Sequence, residues 1–113
     1  MNKDNIMKNT SSYHENFIQE LKDPQTANLY LKMAMEEYHS DNDRDAFLLA
    51  LRNITEAQGG ISKLAEVTHI NRQHLYNILS PTGNPTLEKL ELILKGLGYR
   101  LAILPETDNR KHV

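Results

Sequence analysis

Cysteine and tryptophan are both absent from the 113 residues. Without thiols the chain has no disulfides and no thiolate metal site, which fits a reducing compartment. Long apolar runs are missing too. None approaches the roughly 18 residues a membrane helix needs, and no signal-peptide core follows Met1, so a cytoplasmic location is expected. Positive charge is not in excess. The formal net charge is −2, which by itself does not mark a nucleic-acid binder. No nucleophile elbow, Gly-rich phosphate loop or HExxH zinc motif occurs, so no enzymatic activity and no cofactor are expected. Gly96 and Gly98 read as a helix end rather than half of a nucleotide fingerprint. Of the five histidines (His14, His39, His69, His74 and His112), His69 and His74 have no acidic residue at a helical spacing to complete a zinc site. Metal binding needs three or four convergent ligands, and none is expected. Glu36-Glu37 and Glu88/Glu91 read as solvated faces of amphipathic helices.

What is present is concentrated between Ile61 and Ser80, in ISKLAEVTHINRQHLYNILS. Two short apolar-periodic segments flank a break at Thr68-His69. Leu64 and Ala65, with Ile61 a turn earlier, give the first its apolar face. Ile70, Leu75, Ile78 and Leu79 serve the second. Ala65 is small where two helices would cross, and Ile70 can plug the angle between them. Leu75 and Ile78 are three apart and share a helical face. The other face of the second helix carries Arg72, Gln73, Tyr76 and Asn77, side chains able to read base edges or grip phosphates. An apolar back and a hydrogen-bonding front suit a helix that enters the major groove. The competing reading is an amphipathic helix pair with a solvated polar face. The turn position, usually glycine in a helix-turn-helix, is His69, and a left-handed backbone is less comfortable there.

Around this core the chain divides by composition. Residues 1–12 are polar and read as a disordered arm. Residues 13–43 form an acidic helical segment. Tyr13, Phe17, Ile18 and Leu21 mark a short helix. Asp23-Pro24 then opens a second helix to about Tyr38, with Ala27, Tyr30, Leu31, Ala34, Met35 and Tyr38 on its stripe. A polar break is expected over His39–Asp43. Residues 44–98 form the helix-turn-helix core. It begins with a helix from about Arg44 to Ala57, striped by Phe47, Ala50, Leu51, Ile54 and Ala57 and stopped at Gly59-Gly60. After the breaker-rich SPTGNP loop, Thr86 caps a helix carrying Leu87, Leu90, Ile93, Leu94 and Leu97, ended at Gly98. Residues 99–105 switch to a period of two and read as one short strand, with Tyr99, Leu101 and Ile103 alternating against their neighbours before Pro105. A frayed tail, 106–113, follows.

A lone strand leaves backbone groups without partners. The simplest partner is the same strand of a second copy, antiparallel across a two-fold axis, with Tyr99, Leu101 and Ile103 in the interface. The competing reading is extended coil on its own subunit. Charge also argues for a homodimer. Residues 1–44 hold five Lys/Arg against eight Asp/Glu, and residues 45–113 hold eight against seven. One subunit gains little from counterion release, so affinity for DNA would come from doubling the module. The acidic front half repels DNA and suits a basic partner.

The blocks LKDPQTANLYLKMAMEE (Leu21 to Glu37) and FLLALRNITEAQGGISKLAEVTHINRQHLYNILSPTGNPTLEKLELILKGLGYRLAIL (Phe47 to Leu104) cover most of the chain. In them the chain resembles the addiction-module antidote proteins, antitoxins of HigA type within the Xre/Cro-cI helix-turn-helix class. Resemblance and residue pattern together give the expected fold: an all-α, lambda-repressor-like helix-turn-helix bundle with an N-terminal helical extension, and, from the alternation at 99–105, one short C-terminal strand pairing across a dimer. The resemblance implies a double role: neutralising a RelE/HigB-like toxin that cleaves mRNA, and repressing the operon at a palindromic double-stranded DNA operator. The family's recognition helix falls on Asn71 to Leu79, and its phosphate-facing loop on Thr82-Gly83-Asn84. DNA contacts are therefore expected from Lys63, Asn71, Arg72, Gln73, His74, Tyr76, Asn77, Thr82 and Asn84, with Asn71 also capping its helix. For the toxin, Phe17, Ile18, Leu21, Tyr30 and Leu31 are the expected anchors in the acidic segment, and a face of the helical core is the other possibility. The competing reading is that these side chains only pack on the chain's own core. A stand-alone phage-type repressor without a toxin partner is the alternative. A pure interaction module is a third reading.

Overall fold

The computed structural model describes residues 12–106. Six helices account for all the regular secondary structure among them. Helix α1 covers residues 12–20. It is followed by α2 (Pro24–Asp41), α3 (Arg44–Ala57), α4 (Ile61–Thr68), α5 (Arg72–Ile78) and α6 (Leu87–Gly96). Ser12, placed by the sequence in the disordered arm, opens α1. The rest of that arm, and the tail after Glu106, lie outside the described residues. None of the described helices is long and apolar enough to cross a membrane.

The helix starts follow the capping chemistry. The Asp23 carboxylate accepts from the Thr26 N–H at 3.0 Å, with Pro24 in the first turn. Asp43 accepts from Ala46 N–H at 3.1 Å, and Thr86 from Lys89 N–H at 3.2 Å. Gly59, Gly60 and Gly98 take positive φ at the expected stops. Helix α2 overruns the expected polar break and continues to Asp41. Polar residues do not end a helix by themselves. The stop comes one residue later, where Asn42 adopts the left-handed conformation (φ 57°) and its N–H bonds the Tyr38 carbonyl.

Packing joins the acidic segment to the core. Ile18 and Leu21 from the α1 end, and Ala27, Leu31 and Ala34 from α2, share one cluster with Phe47, Leu51, Ile54, Leu75 and Ile93. Helix α2 lies along α3, and α4 contacts α3, α5 and α6. Phe17 stands edge-on to Tyr30, with ring centroids 5.1 Å apart, and Asn53 on α3 donates to the Tyr30 hydroxyl at 3.0 Å. His14 reaches Glu56 at 3.1 Å across the surface. Gly96 is more than a helix end. A Cβ there would lie 2.8 Å from Thr68 Cγ2 and 3.0 Å from Leu64 Cδ1, so its missing side chain lets α6 close on α4. Leu87, expected on the inner stripe of α6, is 73% exposed, because that helix turns inward only from Leu90.

The segment after α6 differs most from expectation. Residues 99–106 run on without regular structure, so no strand forms among the described residues. The Tyr99 N–H bonds the Leu94 carbonyl at 2.7 Å, and partial burial pushes the Tyr99 hydroxyl pKa upward. Beyond it, Leu101, Ile103 and Leu104 face solvent. A single extended segment has no ladder to join in one subunit.

Candidate nucleic-acid interface

The turn between α4 and α5 takes the shape the motif requires. His69 is left-handed, with φ 60° and ψ 26°, and its N–H bonds the Ala65 carbonyl at 2.9 Å. A side chain is thus accommodated where glycine is usual, since one αL residue costs little compared with the packing it permits. Ile70 follows and is buried, and its N–H bonds the Thr68 hydroxyl at 3.3 Å. The Asn71 side chain then caps α5, accepting from the His74 N–H at 3.2 Å.

Helix α5 has two sharply different faces. Leu75 and Ile78 are buried, as is Leu79 just after them. Arg72, Gln73, His74, Tyr76 and Asn77 are exposed. Gln73 Nε2 lies 3.5 Å from Asn77 Oδ1, so two planar amides one turn apart are already aligned along the open face. Tyr76 borders a cleft of about 230 Å³ shared with Arg52, Ile61 and Leu79.

Downstream, the Ser80 hydroxyl donates to the Asn77 carbonyl at 2.9 Å, and the Gly83 N–H bonds the Ser80 carbonyl at 2.9 Å. This folds the loop back under α5 and leaves Thr82 and Asn84 exposed. Gly83 is buried, and a Cβ on it would strike the Ile78 carbonyl. That obstacle is backbone, so no rotamer change relieves it. We expect Gly83→Ala to cost about 1–3 kcal/mol in stability. Thermal unfolding checks this, and a variant as stable as the parent would show that the loop can be rebuilt without moving α5.

Arg52, which no motif in the sequence singled out, also shapes this face. From α3 its guanidinium donates to the Leu79 carbonyl at the end of α5, and it lies 3.6 Å from Asp45. It fixes where α5 ends relative to the core. The available signal was a lone arginine inside the apolar run FLLALRNI. Lys63, expected to contact DNA, is exposed on α4 and lines a groove of about 750 Å³ with Leu21, Lys22, Leu97 and Tyr99.

The five residues expected to meet a toxin are placed differently from that expectation. Ile18, Leu21 and Leu31 are buried in the chain's own core, and Phe17 and Tyr30 are half-buried against each other. Their apolar surface is already covered, so in this conformation the three buried side chains offer nothing to a partner. Among the described residues no three His, Cys, Asp or Glu converge to hold a metal ion.

Comparison with known proteins adds one match. The family model described as probable addiction module antidote protein matches residues 12–105. No curated protein and no solved structure matches the chain significantly. The match takes in all six helices, the α5 face and the extended segment beyond Gly98, and on it the chain belongs to the family of probable addiction module antidote proteins.

Proposed function

We propose that this chain is the antitoxin of a type II toxin–antitoxin module, neutralising a RelE/HigB-like mRNA-cleaving toxin and repressing its own operon as a homodimer on a palindromic operator. Family membership implies a cognate toxin. The observation that carries the DNA-binding half is α5 itself: a helix with Leu75 and Ile78 buried and Arg72, Gln73, Tyr76 and Asn77 exposed in one row. Seven residues suffice to lay one such row in a major groove. Gln73 and Asn77 suit bidentate contacts to adenine, and Arg72 suits guanine or phosphate. His74, Thr82 and Asn84 serve as backbone-positioning contacts. Asn71 acts mainly as the cap.

Because one subunit has a formal net charge of −2, a single copy gains little from counterion release and affinity for DNA would come from two. We assign the dimer contact to the segment from Tyr99 to Leu104, whose apolar side chains Ile103 and Leu104 are uncovered in one subunit and Leu101 partly so. Antiparallel pairing across a two-fold would give its backbone a ladder and bring two α5 helices to half-sites about one helical turn apart.

The test is a gel shift on the DNA upstream of the chain's own reading frame. Gln73 is exposed and its side-chain hydrogen bond goes to Asn77, so Gln73→Ala should leave thermal stability nearly unchanged. It should weaken operator binding by about 1–3 kcal/mol. Equal binding by the variant would mean that another face of the protein meets the DNA. A phage-type repressor without a toxin would pass this test as well. Co-expression with the product of the adjacent reading frame separates the two, since only an antitoxin restores growth to cells that the product poisons.

A further inference from the structure

The face of α2 turned away from the core is not a solvated face throughout. Leu29 and Met33 are four apart, stand opposite the buried Ala27, Leu31 and Ala34, and are each 59% exposed. Exposed apolar side chains occur singly on any surface. Two in register on one helix, beside acidic side chains, make a ridge of the kind partners cover. Glu36 lies one turn on and Glu37 beside it. Both are exposed, and neither is ion-paired among the described residues. Lys32 is the one basic neighbour on this face.

Charge selects the occupant. Residues 12–41 hold six acidic residues against two lysines. DNA is repelled by such a surface, and a second copy would bring the same sign to the contact. A basic protein is attracted, and its steering charges would complement Glu36 and Glu37 around an apolar centre.

We propose that the Leu29–Met33 ridge of α2, flanked by Glu36 and Glu37, is the docking surface for a basic cognate toxin. This rests on the antitoxin reading and replaces the buried anchors Ile18, Leu21 and Leu31 with side chains a partner can reach. Helix α2 packs on α3, whereas α5 packs on α4.

The experiment uses the full chain and the purified product of the adjacent reading frame. Removing α1 is not a clean alternative, because that segment supplies Ile18 and Leu21 to the core. Calorimetric titration of the wild-type chain comes first. If it does not bind, the antitoxin reading itself falls and this inference with it. If it binds, L29K/M33K should lose at least about a hundredfold in affinity while keeping its circular dichroism and its gel shift on the upstream DNA. E36K/E37K should lose about tenfold, with a weaker dependence on salt. Wild-type-like binding by L29K/M33K, alongside a wild-type chain that binds, would overturn the ridge assignment alone. A changed sedimentation coefficient for free L29K/M33K would also overturn it, by making the ridge a contact between copies.

Discussion

Replacing Leu101 with proline should leave a folded, helical monomer that has lost its operator. Leu101 lies beyond α6, is 38% exposed and is not part of the helical core cluster, so the helices should fold without it. In a paired segment it would matter twice over. Proline removes a backbone N–H that a ladder uses and fixes φ near −65°. It also deletes part of the apolar surface that pairing would cover, where each fully buried side chain is worth about 1.5–3 kcal/mol. The effect on DNA should be larger than either loss suggests. Two linked modules on one palindrome exceed a single module by roughly 10²–10⁴-fold through effective concentration alone. We expect sedimentation to report a monomer, circular dichroism to stay helical, and gel-shift affinity to fall by at least about a hundredfold. If the variant remains dimeric, the two-fold contact belongs elsewhere, and the exposed Leu87 at the start of α6 is the next surface to test.

Leu75→Ala should cost about 3 kcal/mol of folding free energy, within the 2–5 kcal/mol usual for such truncations. Leu75 is fully buried, with Leu79 and Ile93 in the same cluster. With Ile78 and Leu79 it ties α5 to the rest of the molecule. A seven-residue helix has almost no stability of its own, so α5 is held by this contact, by the Asn71 cap and by the Arg52 bond to the Leu79 carbonyl. The midpoint of thermal unfolding should drop by roughly 10–20 °C for a domain of this size. Operator binding should weaken even at temperatures where the variant is folded, because α5 would no longer sit at one angle. A Tm within a few degrees of the parent would mean that neighbouring side chains collapse into the space left by the leucine.

The linear chain by itself determined the helices and the two-faced character of α5. Caps such as Asp23, Asn71 and Thr86 act on backbone groups within three residues, so their effect is written locally. The period of three and four that hides Leu75 and Ile78 leaves Gln73 and Asn77 on the other side of the same helix. The αL turn at His69 was less legible, because a side chain stands where glycine is usual and argues against the left-handed backbone that the packed helices impose. Tertiary structure alone decided which apolar side chains are spent on the core and which remain free. Ile18, Leu21 and Leu31 look like anchors for a partner when read along the chain, yet α3 lies against their segment and buries them. Leu29 and Met33 belong to the same helix and are left outside. Amphipathic periodicity says that a face is apolar but not what covers it, since the cover comes from residues distant in sequence. The same limit applied to Arg52, whose carbonyl partner is 27 positions away, and to residues 99–104, whose alternation forms a strand only if a second chain supplies the ladder.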